Sequence, residues 1–168
     1  CAGSPISFSD LTNPMGGDLS TWFWDFGDGT TIMVNDPASA SVEHTYSAPG
    51  NFIVILRVTT TQGCEDDTQQ TLTIAPNPLA FFTYTNLCED TAVSFTGVPG
   101  QNGGSAIIGY VWNFGDPASG MSNTSTLQNP YHVYINPGLY QVSLIEINAE
   151  GCTDSITQPV IIRAQPQV

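Results

Sequence analysis

The sequence contains no lysine at all, and its two arginines, Arg57 and Arg163, stand against fifteen acidic residues. The net charge of −13 argues against nucleic acid and anionic membrane surfaces as partners, because almost nothing is available to neutralise phosphates. Without lysine, lysine–asparagine isopeptide staples cannot form, and trypsin finds almost no sites. Long apolar runs are missing as well: none approaches the ~20 residues of a membrane span. No signal peptide is recognisable, so the chain is expected to be mature or an excerpt of something longer. Catalytic signatures are equally scarce, with no GxSxG elbow, no HExxH and no phosphate loop. No segment carries convincing helical periodicity.

What is present is a duplication. Cys1 recurs as Cys88 and Phe8 as Phe95, each 87 residues on. Trp24 recurs as Trp112, and "WDFGD" becomes "WNFGD", 88 residues on. His44, Tyr46, Pro49 and Gly50 return as His132, Tyr134, Pro137 and Gly138, and Cys64 returns as Cys152. The boundary falls near "APNPLA", where two prolines stiffen a short linker, giving domains at 1–77 and 78–168. In the first repeat, the counterpart of residues 81–87, the opening strand ahead of Cys88, is missing. Two periods cut from a continuing array would produce that gap, and so would subunits that complete each other by strand addition.

Each repeat reads as antiparallel β. "NFIVILRVTT" and "LYQVSLIEIN" alternate, are rich in β-branched residues and follow Pro-Gly turns. Twelve prolines and sixteen glycines punctuate the chain at strand spacing. Alternation puts Trp22, Trp24 and Phe26 on one face, with Tyr110, Trp112 and Phe114 as counterparts. The expected fold is all-β: two tandem Ig-like β-sandwiches of about seven strands each.

The cysteines point to an oxidising compartment. Cys1/Cys64 and Cys88/Cys152 occupy the same registers of the two repeats, which favours one disulfide within each domain. Closing loops of that length stabilises by roughly 4 kcal/mol in the chain-entropy model. A zinc site would want clustered ligands such as a CxxC pair, and a lipidated Cys1 would have no parallel in Cys88.

"WDFGDGT", then "HTY-x-x-PG-x-F-x-V-x-L-x-V", then "GC-x-D" resembles the PKD domain, an Ig-like β-sandwich, in its cysteine-bearing variety from large bacterial surface and secreted proteins. The resemblance covers nearly the whole chain twice. The second repeat departs from it at Asn113, which replaces the first aspartate, and at "GDPASG". The resemblance implies an extracellular, non-enzymatic spacer or adhesion module, sometimes appended to enzymes that bind polymers.

Candidate sites follow from these motifs. Asp25 and Asp28 read either as turn residues, with Gly29 supplying a left-handed conformation, or as part of a calcium site. His44 and His132, at one repeat position, read as ties between strand and turn. Asn123 lies in an N-glycosylation sequon, and Thr91 and Ser155 resemble O-glycosylation sites. The leading functional expectation is a structural or adhesion repeat at the cell surface, within a long array or an extracellular filament, its partners being neighbouring repeats or identical subunits. The alternative is a polymer- or glycan-binding accessory module of a secreted enzyme.

Overall fold

In the computed structural model, which describes residues 1–13, 18–36, 41–100 and 104–166, the chain divides into two units, Cys1–Pro76 and Asn77–Val168. The first is built from β1 (Pro5–Phe8), β2 (Leu19–Asp25), β3 (Thr31–Val34), β4 (Val42–Thr45), β5 (Gly50–Thr60) and β6 (Glu65–Ile74). The second holds β7 (Phe82–Thr85), β8 (Ala92–Gly97), β9 (Ile107–Asn113), β10 (Thr124–Ser125), β11 (Tyr131–Val133), β12 (Gly138–Asn148) and β13 (Thr153–Ile162). All pairings between these strands are antiparallel. A 3-10 turn over Pro117–Asn123 is inserted ahead of β10.

The repeat register maps directly onto topology. A four-stranded sheet of order β3-β2-β5-β6 in the first unit corresponds to β10-β9-β12-β13 in the second. The facing sheets differ: β1-β4 has two strands, whereas β11-β8-β7 has three. β7 therefore has no counterpart in the first unit among the described residues.

Alternation in the strands decides the core. Trp22, Trp24 and Phe26 are all buried, as are Trp112 and Phe114, while Tyr110 is partly buried. Phe95 and Phe82 close over Trp112, with ring centroids 5.6 and 5.1 Å away. In the first unit, Phe8 alone plays that part, 5.8 Å from Trp24. Burying such rings is worth roughly 2–3 kcal/mol each, so aromatic stacking between the two sheets is the main source of cohesion in each unit.

The expected intradomain disulfides are not formed. Cys64 and Cys88 are exposed free thiols, while Cys1 and Cys152 are disulfide-bonded. The physical reason is distance along one strand. The Ala2 amide beside Cys1 bonds the carbonyl of Ala75, just past β6, whereas Cys64 sits in the turn that starts β6. A ten-residue strand spans roughly 33 Å, and bridged cysteines need Cα atoms within about 7 Å. The second unit repeats the arrangement: Cys88 bridges to Arg163 beyond the end of β13, and Cys152 lies in the turn before it. Thiol titration of the native protein should give two free thiols, mapped to Cys64 and Cys88. A count of none, with Cys1 linked to Cys64 and Cys88 to Cys152 in a non-reduced digest, would restore the intradomain pairs.

The second core also contains a carboxylate. Glu146 is completely buried, and among the described residues neither side-chain oxygen meets a partner at full hydrogen-bond geometry, the Gly100 backbone coming nearest to doing so. Its counterpart one repeat earlier is Val58, buried against the core. Burial pushes the Glu146 carboxyl above its ordinary 4.5, a rise that the Gly100 backbone tempers and Asp154 reinforces. A raised acid pKa favours the folded state at low pH and costs stability as the pH climbs past 4.5 and through the folded value. Glu146→Val should therefore stabilise the second domain by about 1–3 kcal/mol at neutral pH, and by much less in acid. Calorimetry at the two pH values checks the sign.

Candidate functional site

The twice-repeated polar motif sits where β2 and β9 leave their sheets. Asp25 Oδ1 accepts the Gly27 amide at 2.9 Å, and Asn113 Oδ1 accepts the Gly115 amide at the same distance. An acceptor oxygen is all that position requires, which is why asparagine replaces aspartate without changing the turn. Gly27 and Gly115 have positive φ, and a Cβ on either would meet a backbone oxygen at 2.5 Å. Only glycine fits there.

The second acid of each motif reaches a histidine. Asp28 Oδ2 lies 2.7 Å from His44 Nε2, and Asp116 Oδ2 lies 3.1 Å from His132 Nε2. Asp28 Oδ1 also accepts both the amide and the hydroxyl of Thr30. Each imidazole stacks on a phenylalanine of the motif, Phe26 at 4.1 Å or Phe114 at 4.6 Å, and meets a tyrosine edge on its other side. The tyrosines complete the clasp, Tyr46 Oη donating to the Phe26 carbonyl and Tyr134 Oη to that of Phe114. The assembly ties β4 to the end of β2, and β11 to the end of β9. Its bonds run between turn, histidine and tyrosine within the clasp. Among the described residues, no group of three or more His, Cys, Asp and Glu is placed to hold a metal ion.

The remaining sequence-flagged residues are spread apart. Asn123 is partly buried: its Oδ1 accepts the Asp116 amide and its Nδ2 donates to Asn113. The amide nitrogen that a glycan would take is thus already used by the turn. Thr91 donates its hydroxyl to the Cys88 carbonyl, and Ser155 is exposed on β13.

Two surface features stand out, the second of them anticipated by the strand missing from the first repeat. The first is the outward face of the β10-β9-β12-β13 sheet. Its cross-strand rows are Val111–Ile145–Ser155, Asn113–Ser143–Thr157 and Gly109–Ile147–Thr153, continued by Gln141–Pro159 and Leu139–Ile161. No charged residue stands in any of these rows, in a chain of net charge −13. The same face of the first unit carries Asp25, Arg57, Glu65 and Asp67. The second feature is a groove of about 810 Å³ in the first unit, floored by Phe8, Trp24, Val54, Leu56 and Leu72. Pairing each sheet position with its 87- or 88-residue counterpart, the comparison that pointed to the missing strand, would have exposed the charge-free face too.

These elements define a class: Ig-like β-sandwich domains in tandem, whose repeated acids and histidines build turns and clasps. The chain belongs to the PKD domain family, which matches residues 1–76 and 73–163. Over 71 residues it is 37% identical to collagenase ColA of Bacillus cereus, covering 42% of this chain and 7% of that protein. Over 73 residues it is 33% identical to a microbial collagenase of Vibrio alginolyticus, covering 44% of this chain and 8% of that protein. The chain therefore spans less than a tenth of these relatives' length. The PKD1 domain of Vibrio anguillarum Epp superposes with a TM-score of 0.47 at 22% identity, covering 54% of this chain and 99% of that domain. No described helix is long and apolar enough to cross a membrane.

Asp28 provides a pH test of the clasp. Partial burial pushes its carboxyl up, but hydrogen bonds from Thr30 and His44 outweigh this and hold it at about 2, below the ordinary 3.8. A depressed acid stabilises the fold above its unfolded pKa and loses that contribution as the pH falls through the folded value. The melting temperature of the first domain should drop between 3.8 and about 2, and Asp28→Asn should flatten that limb. An unchanged acid limb would mean that the clasp does not contribute.

Proposed function

We propose that the chain is a non-catalytic accessory segment of a larger secreted protein, working outside the cell, and that it holds an extended polymer on the outward face of the second domain's four-stranded sheet. The observation that carries this reading is the charge-free face itself. Exposed Val111, Ile145 and Ile161 alternate there with threonine, serine and asparagine, a mix that suits apolar and hydrogen-bonded contact with a neutral fibre. The likeness to proteins named as collagenases supports it; fibrous protein or neutral glycan is the substrate class proposed.

A second reading is favoured by the repeat of 87 to 88 residues: the two domains are links of an adhesin array or an extracellular filament. Co-sedimentation with fibrillar collagen, cellulose and chitin separates the two readings. The first expects retention on at least one polymer, weakened about tenfold or more by Ile145→Asp or Val111→Asp, exposed changes that leave the core intact. Equal retention of these variants, or no retention on any polymer, would remove it.

A further inference from the structure

The buried carboxyl of Glu146 has a second carboxyl beside it. Glu146 stands directly opposite Asp154 of β13 on one side and Tyr110 of β9 on the other, so the three side chains share the inner face of the sheet. Directly opposed residues place their Cβ atoms about 4.5–5.5 Å apart. Two acids therefore sit together, Glu146 fully buried and Asp154 partly so. No arginine faces them: Arg57 belongs to the first unit, and Arg163 lies past the far end of β13. Glu150, in the turn that joins β12 to β13, is exposed and takes the Ser105 hydroxyl.

The backbone that meets this pair is held by few contacts. The Ala80 amide donates to Asp154 Oδ2 at 2.9 Å, and the Leu79 amide donates to the Gly100 carbonyl at 3.0 Å. The Val98 amide donates to the Phe81 carbonyl at 2.9 Å. Ala80 is buried, but Leu79 and Phe81 are 61% and 48% exposed. Little apolar area is lost when residues 79–81 lift away, and segments of that kind open at far lower cost than the whole domain. Phe82 is sealed in the core, and there the opening stops.

We propose that residues 79–81 form a proton-operated latch, closed over Glu146 while that carboxyl keeps its proton and released when the proton is lost to solvent. An ionised Glu146 adds a second negative charge beside Asp154 at a site without water, and lifting the segment lets water in. Opening thus releases a proton, so the balance moves from closed to open as the pH rises. The direction agrees with the effect of burial on Glu146, which raises its pKa, with Gly100 opposing and Asp154 adding to the rise. In the first domain the same two positions are Val58 and Asp66, and the pair of carboxyls is absent. The latch is independent of polymer binding on the outward face.

Backbone amide exchange on the whole 168-residue chain tests this, each rate being taken relative to that of the unstructured amide. Between about pH 4 and about pH 7.5, protection of the Ala80 amide should fall about tenfold or more, and further than that of Leu144 in the core of the same domain. Glu146→Gln should keep Ala80 protection level across this range. So should Glu146→Val, which borrows the residue of the first domain. Asp154→Ala removes the acceptor and should leave Ala80 weakly protected at both pH values. Level protection in the unaltered chain, or a fall that persists in either Glu146 variant, would overturn the proposal. An equal fall at Ala80 and Leu144 would overturn it too, because the whole domain and not the segment would then be opening.

Discussion

A β-strand that carries tryptophan and phenylalanine on one face is stable only if a second sheet covers those rings. Every other feature of these domains serves that cover. The turn glycines let β2 and β9 end abruptly, and the aspartate–histidine clasps bring β4 and β11 back over the aromatic row. The tyrosine hydroxyls then fix the depth at which the two layers meet. The two domains make the same construction with different amounts of covering strand. With β7 in place, Trp112, Leu144 and Val160 are sealed; without it, Trp24 and Leu56 keep a small exposure and Leu72 a larger one.

Much of this was legible in the residues. The duplication fixed the strands by comparison, because a pattern that is ambiguous once is less so when it recurs in register. Burial of Trp22, Trp24 and Phe26 followed from period-2 alternation. The part played by Asp25 was readable in its replacement by Asn113, since a cation site would have lost a charge where a turn loses nothing.

The cysteines and Glu146 were not legible, for different reasons. Equal register in two repeats states equivalence, not proximity, and each domain's two cysteines flank the full length of one strand. Glu146 was hidden by its own alternation. In "QVSLIEIN" both faces carry apolar residues, and only the cross-strand partners show that Glu146 shares the inward face with Val142 and Leu144. Comparison with Val58 was the available signal. The charge-free outer face was likewise invisible locally, because it is assembled from β9, β12 and β13, which pair across up to 41 residues of sequence (Ile107 with Asn148).

The same divergence between repeats bears on how the chain reaches its native state. Neighbouring domains of similar sequence emerge close together and can trade equivalent strands while still incompletely folded. Here two such trades carry a penalty. β12 in place of β5 would set the Glu146 carboxylate beside Trp22, where Val58 now packs. β6 in place of β13 would bring Thr68 to the site where Ile156 packs against the core. A duplication whose core strands have diverged at such positions biases each segment towards its own domain during synthesis.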